Sequence, residues 1–362
     1  MTKGRNNVVD IVCQSKPVDT SEPYDAAWLA GKTMVITGGA SGFGEGFFRK
    51  WAHAGAHVII GDVNNARGRA LVEEVRKKTG SQHHHFLHCD VTNWQSQCDF
   101  FRTAVQLSPH GGIDAVVANA GIAENMPTFE IPKGLDDETP PPPNLKCLEV
   151  DLLGVMYTAH LAMFYLPRNP NSSKPGSSTT PTQQSRDRHL LLIGSVASLA
   201  PLPGQLLYCV SKHGVLGLFR GLRSTAFVHG IRVNMLCPYF IDTPLIPAAG
   251  RALLAGSAMG KPEDVVDAGT RLAADTRIVG RALVVGPKVR IDGDWQLVPQ
   301  TSEEGQEIAV WEAYADDFQE AEAFTARFIR MLNQVEVARG WMGWAYDMVG
   351  AITYPIRTWL HK

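Results

Sequence analysis

The chain has 362 residues, 44% hydrophobic and 19% charged, enough for one large α/β domain with appendages or for two domains, and too apolar for extended disorder. Thirty-four basic residues nearly balance 36 acidic ones, and the net charge of -2 offers no electrostatic footprint for nucleic acid or an anionic membrane. Six scattered cysteines (Cys13, Cys89, Cys98, Cys147, Cys209, Cys237) form no CxxC pair, and the first thirty residues hold no apolar signal core, so reduced thiols and a cytoplasmic location are expected.

Residues 1–30 read as an N-terminal extension, and a domain is expected from 31 to 297. Within it, apolar runs at 33–37, 57–61, 84–89, 114–118, 189–194, 231–236 and 282–285 are rich in Val, Ile and Leu without strict alternation. That is the pattern of strands buried on both faces. Segments long enough for crossover helices lie between them, at 65–79, 93–107 and 206–228. The alternation predicts an α/β fold: a doubly wound parallel sheet of about seven strands, the Rossmann architecture.

Two insertions interrupt the pattern. The first, near 124–145, contains Pro140–Pro143, which cannot lie inside a helix; the second, near 168–188, is polar and of low complexity. Beyond 297 a helical extension is expected over 298–362, because Phe318, Phe324, Phe328, Met331 and Leu332 recur at near-helical spacing over 303–337. Residues 340–362 are aromatic and apolar but carry Asp347, Pro355 and Arg357, which argues against a membrane span. They are expected to pack on the body or on a sister subunit, with an interfacial membrane helix as the alternative.

The first strand leads into Thr37-Gly38-Gly39-Ala40-Ser41-Gly42-Phe43-Gly44, with a helix opening near Phe43. Such a junction points backbone N–H groups and the positive helix end at a pyrophosphate. Gly38 permits the turn, Gly42 lets phosphate approach the backbone, and Gly44 lets helix pack on strand. The second strand ends at Asp62, where a carboxylate accepts from a ribose diol and repels a 2′-phosphate. NAD(H) is therefore favoured over NADP(H), with Arg67 and Arg69 nearby as the case for the phosphate. The rival role for Asp62 is simply to cap the helix that follows.

Tyr208 and Lys212 lie four apart at the start of a helix and so share a face. A phenol titrates near 10, and a neighbouring ammonium stabilises its phenolate. Ser195, at the end of the fifth strand, stands where it could donate to the same substrate oxygen.

These motifs, in this order, resemble the short-chain dehydrogenase/reductase family over roughly residues 30 to 297. The match comprises the loop Thr37–Gly44 with Ser41 and Phe43, the acid Asp62, Asp90-Val91 after the third strand, Asn119-Ala120-Gly121 after the fourth, and Ser195, Tyr208 and Lys212. The resemblance is nearest to fungal members similar to 15-hydroxyprostaglandin dehydrogenase, including dehydrogenases of polyketide metabolism. It implies hydride transfer between a nicotinamide and a carbon bearing oxygen. Tyr208 would be general acid/base, Ser195 would polarise the substrate oxygen, and Lys212 would lower the Tyr208 pKa and hold the nicotinamide ribose.

This chain departs from the family pattern twice. Asp151, in Asp151-Leu152-Leu153-Gly154, stands where the family often has a relay Asn, and its charge would oppose Tyr208 ionisation. Tyr239 replaces the Gly that usually follows Pro238, while the expected Thr for the nicotinamide amide is present as Thr243. Residues 239–261 would form the substrate lid, and Leu245, Ile246, Pro247, Leu253 and Leu254 either suggest a small hydrophobic substrate or pack the lid onto the protein. The histidines His83, His84, His85 and His88 alternate in direction on or beside a strand, so no metal site is expected there. Cys209 and Cys237 are expected to be packing residues. The expected activity is alcohol–ketone oxidoreduction by a homodimer or homotetramer. A redox-neutral enzyme on the same scaffold and a non-catalytic NAD-binding protein remain as alternatives.

Overall fold

The computed structural model describes residues 15–124, 142–172, 185–243, 259–294, 296–299, 305–313 and a set of helical positions between 327 and 348. Residues Gln14–Ala315 form one compact unit; Met1–Cys13 and Asp316–Lys362 form another.

In the larger unit, β1 (Thr33–Thr37) is followed by α1 (Gly42–His53), β2 (His57–Asp62), α2 (Asn65–Thr79), β3 (His85–His88), α3 (Trp94–Leu107) and β4 (Ala115–Ala118). A short helix Lys146–Leu148 then runs through a π-helical turn, Glu149–Gly154, into α4 (Val155–Tyr165). β5 (His189–Ile193), α5 (Leu206–Thr225), β6 (Arg232–Pro238), α6 (Pro262–Ala274) and β7 (Ala282–Ile291) complete the alternation. Seven strands pair in parallel in the order β3-β2-β1-β4-β5-β6-β7. The chain order reverses direction between β1 and β4, and a crevice is expected outside the carboxyl ends of strands at such a switch point.

Each face of the sheet buries its own core. Phe47, Phe48 and Trp51 of α1 pack with Val265 and Leu272 of α6 on one side. Phe100 and Phe101 of α3, Ala159 and Ala162 of α4 and Phe219 of α5 fill the other. Fully buried apolar side chains of this size each contribute about 1.5–3 kcal/mol. Helix ends are closed locally: Asn64 accepts from the Arg67 amide at 3.1 Å at the start of α2, which ends at Gly80 in the left-handed region. Arg232, wholly buried on β6, pairs with Asp187 at 2.6 Å and donates to the Leu272 and Ala273 carbonyls at the C-terminal end of α6.

The helical expectation beyond residue 297 fails for its first part. β8 (Leu297–Val298) and β9 (Gln306–Ala313) pair antiparallel with β7 and extend the sheet to nine strands among the described residues. Ile308, Val310 and Trp311 are β-formers, and the helical spacing that starts at Phe318 does not extend back over them. Trp311 covers Gly286, where an added Cβ would come within 2.7 Å of its ring. Glu312 pairs with Arg281 at 3.1 Å and accepts from the Val18 amide, fastening residues of the N-terminal extension to the new edge. In the smaller unit the described positions from 327 to 348 are helical, with Phe328, Met331, Val335, Trp341 and Met342 exposed. Most of both insertions (125–141 and 173–184), lid residues 244–258 with the five apolar side chains named above, and 349–362 lie outside the described residues.

Candidate active site

A cavity of about 520 Å³ opens at the switch point. It is lined by Gly38, Ser41, Gly42 and Phe43 from the glycine loop, Asp62 and Val63 after β2, Cys89, Asp90 and Val91 after β3, Asn119, Ala120, Gly121 and Ile122 after β4, and Lys146, Val150 and Thr243.

The three loop glycines play different parts. A Cβ on Gly38 would lie 2.7 Å from the Ala120 Cα, and one on Gly44 would lie 2.3 Å from the Gly38 carbonyl oxygen. Both are places where backbone packs on backbone. Gly42 has φ +54°, and a Cβ there would meet nothing within 4 Å. Its bare backbone faces open space at the N-terminus of α1, as phosphate binding requires. Asp62 sets its carboxylate beside the loop, accepting from the Ala40 amide at 3.0 Å and the Asn64 amide at 2.9 Å. Asn64, not Asp62, caps α2. Each carboxylate oxygen keeps acceptor capacity for a ribose diol. The residues present therefore fit a dinucleotide.

The two nearby arginines are engaged elsewhere. Arg67 donates to the Ala40 carbonyl at 2.6 Å and pairs with Glu45 at 2.6 Å, while Arg69 lies over the Phe86 ring. Asn119 donates its amide to the Thr37 and Gly38 carbonyls at 3.0 and 2.9 Å, and the Thr37 hydroxyl accepts from the Asn119 and Ala120 amides. Thr37 and Asn119 thus tie β1 to β4, and their side-chain groups hold the loop in shape. Asp90 is held below the ordinary carboxylate range by the Thr92 hydroxyl and amide, which fix the turn that presents Val91.

The other half of the site stands on β5 and α5. Ser195 follows β5 in extended backbone and caps the short 3₁₀ turn Val196–Ser198, accepting from the Ala197 amide at 3.1 Å. α5 brings Tyr208 and Lys212 to one face, with the Lys212 ammonium 5.4 Å from the centre of the Tyr208 ring. Ser195 lies near enough to the Tyr208 phenol to pull its pKa down. Lys212 is buried; its Nζ lies 3.2 Å from Asp151 Oδ2 and donates to the Ile193 carbonyl at 3.4 Å. Asp151 is fully buried in the π-helical turn, a backbone form enriched at functional sites, and its Oδ1 accepts from the Ile122 amide at 2.8 Å.

Burial pushes the Tyr208 phenol above its ordinary range, against the pull of Lys212 and Ser195, with Asp151 adding to the rise. Lys212 pulls the Tyr208 pKa down, but burial outweighs it. Burial pulls the Lys212 ammonium down, yet Asp151 and Tyr208 more than offset this and hold it above its ordinary range. Burial also raises the Asp151 carboxyl, against the pull of Lys212 and the Ile122 amide. The Cys237 thiol is pushed up to about 12 by burial on β6 and is chemically inert there. Among the described residues no group of His, Cys, Asp and Glu gathers to hold a metal ion.

One positioning group escaped the sequence reading. α5 has no cap from its own Gln205; Glu124, buried at the end of the β4 loop, accepts from the Leu207 amide at 2.8 Å and the Tyr208 amide at 3.4 Å. The Gln205 side-chain amide donates back to the Glu124 carbonyl at 2.9 Å. No local pattern marks such a cap, because its partners are 83 residues apart.

The model of the short chain dehydrogenase family matches residues 32–252. The 5′-hydroxyaverantin dehydrogenase of Dothistroma septosporum is 36% identical over 283 residues, covering 74% of this chain and 88% of that protein. A protein of Cochliobolus lunatus named as an NADP-dependent dehydrogenase is 30% identical over 289 residues, covering 77% of this chain and 97% of its own length. Among solved structures, 3-ketoacyl-(acyl-carrier-protein) reductase from Brucella melitensis, complexed with NADH, aligns with TM-score 0.57 at 24% identity over 71% of this chain and 97% of that one. Fold, site order and these likenesses agree, and the chain belongs to the short-chain dehydrogenase family, the alcohol–ketone oxidoreductases that use a nicotinamide cofactor.

Proposed function

We propose that this enzyme interconverts a hydrophobic secondary alcohol and its ketone with NAD(H), using Tyr208 as general acid/base. The observation that carries the reading is the Ser195–Tyr208–Lys212 group, brought together by the end of β5 and the first turns of α5, with the Lys212 ammonium 5.4 Å from the centre of the Tyr208 ring. Ser195 orients the substrate oxygen, and Tyr208 gives that oxygen a proton in reduction or takes one in oxidation. Such a proton transfer contributes typically about 10²–10⁴-fold. A bound nicotinamide supplies or accepts the hydride. Gly42, Asp62, Val91 and Thr243 line the cavity that would hold it.

The preference for NAD(H) rests on Asp62 in the cavity wall and on Arg67, whose guanidinium is taken up by Glu45 and the Ala40 carbonyl. A hydroxyl-bearing substrate is in keeping with the Dothistroma relative's name, and an apolar one with Tyr239, exposed directly after β6. Homo-oligomerisation is supported by the apolar side chains of Leu153, Met156 and Phe164 exposed along one helix, and cytoplasmic residence by five free cysteines among the described residues. The helix Lys146–Arg168 is long and apolar enough to cross a membrane, but half of it is buried in the fold and it carries Asp151.

The test is to follow NADH and NADPH absorbance against a panel of hydrophobic secondary alcohols and ketones, with Asp62→Ala alongside. Turnover with NAD(H) that shifts toward NADP(H) in the variant is expected. An unchanged cofactor ratio removes the ribose role of Asp62, and cofactor binding without any turnover favours a redox-neutral enzyme.

A further inference from the structure

The charged groups around Tyr208 come from four elements. α5 contributes Lys212, the π-helical segment contributes Asp151 and the Cys147 thiol just before it, β6 contributes the Cys237 thiol, and the loop after β4 contributes Glu124. Burial pushes the Cys147 thiol up to about 12, and Cys237 stands at the same height, so neither carries charge near neutrality. Glu124 is spent on the amides of Leu207 and Tyr208 at the helix start. Lys212 and Asp151 are left as the opposed pair next to the phenol.

Their geometry is tightly held. Asp151 is wholly buried, its Oδ1 takes the Ile122 amide, and its Oδ2 faces the Lys212 ammonium at 3.2 Å. Gly121 leaves room for this: a Cβ there would lie 3.0 Å from Asp151 Oδ2 and 3.6 Å from Lys212 Nζ. The carboxylate cannot swing away from Lys212 without losing the Ile122 bond, and the π-helical turn sets its direction. An amide at this position would donate as well as accept and would carry no charge.

We propose that Asp151 is a positioning residue, the counter-ion that anchors Lys212 and withholds part of its positive charge from Tyr208. This rests on the reading of Tyr208 as the general acid/base. With Lys212 neutralised by Asp151, ionising Tyr208 would leave a net negative charge in a dry pocket, which the low dielectric penalises. Tyr208 is then kept in its protonated form at neutral pH, ready to donate to a ketone oxygen. The base needed for alcohol oxidation develops only at higher pH. Reduction is served near neutrality and oxidation under alkaline conditions.

The experiment is an ultraviolet difference titration of the Tyr208 phenolate, isolated by subtracting the spectrum of Tyr208→Phe, in wild type and in Asp151→Asn. The variant is expected to ionise Tyr208 at lower pH, by on the order of one pH unit. Asp151→Ser removes the same charge without adding bulk and must move the titration the same way. The alkaline-rising limb of kcat/KM for alcohol oxidation should follow it downward. A phenolate titration that stays put or moves up in both variants overturns the proposal. If Tyr208→Phe retains turnover, the general acid/base assignment fails instead, and the titration still reports on Asp151 separately.

Discussion

On the β1–β4 side of the crevice the working parts are bare backbone and backbone-directed hydrogen bonds, with the Asp62 carboxylate as the charged group at the cavity wall. Gly38 and Gly44 pack backbone on backbone, Asn119 spends its amide on two loop carbonyls, and Gly42 leaves open space beside its backbone. On the β5–α5 side they are a buried ion pair, a phenol and a serine hydroxyl. The first half works mainly by shape, and at Gly38 and Gly44 it has no room for an added atom. The second works by charge, so there an isosteric change that alters charge or removes a hydroxyl matters more than one that alters size.

The largest effect tests the charge side. Tyr208→Phe keeps the ring over Lys212 but removes the hydroxyl, and turnover should fall by about 10²–10⁴-fold while cofactor affinity, measured by NADH fluorescence, stays within a few fold. Retained turnover would remove Tyr208 from the chemistry. Two glycine variants test the shape side at smaller scale. Gly44→Ala drives a methyl to 2.3 Å from the Gly38 carbonyl oxygen, so denaturant melts should show a loss of about 1–3 kcal/mol together with weaker cofactor binding. Gly42→Ala meets open space and bears only the cost of its left-handed backbone, about 1–2 kcal/mol, and should weaken cofactor binding more than Gly44→Ala does for the same loss of stability. Equal ratios of binding loss to stability loss in the two would mean that Gly42 is packed like its neighbours.

How far the sequence reveals each half follows from the same contrast. The glycine loop is legible because each glycine has a local reason, and so is Asp62, because a strand end places it. Tyr208 and Lys212 are legible as a pair one helical turn apart. The partners that tune them are not: Asp151 meets Lys212, and Glu124 caps α5, only after strands far apart in the chain have paired. Asn119 has the right type at the right place, yet its amide binds the loop itself. β9 was hidden by the strong helical spacing that begins a few residues later, because its pairing with β7 depends on contact rather than on local pattern.

The smallest effect concerns acid stability and separates the strands behind the two halves. His57 on β2 and His84 just before β3 are both held at about 4, mainly by burial and then by neighbouring positive charge, and His189 on β5 is pulled well below its ordinary value for the same reasons. All three bind protons more weakly folded than unfolded, where an imidazole titrates near 6.5. Their stabilising contribution is therefore complete above about pH 6.5 and is lost progressively as pH falls toward 4. Tm should fall by a few degrees over that window for each group that must charge. His84→Gln should flatten the slope by one group's share without changing Tm near pH 7.5 as much as it does near pH 5. An equally steep slope in the variant would show that acid acts first at His57 or His189 and not at His84.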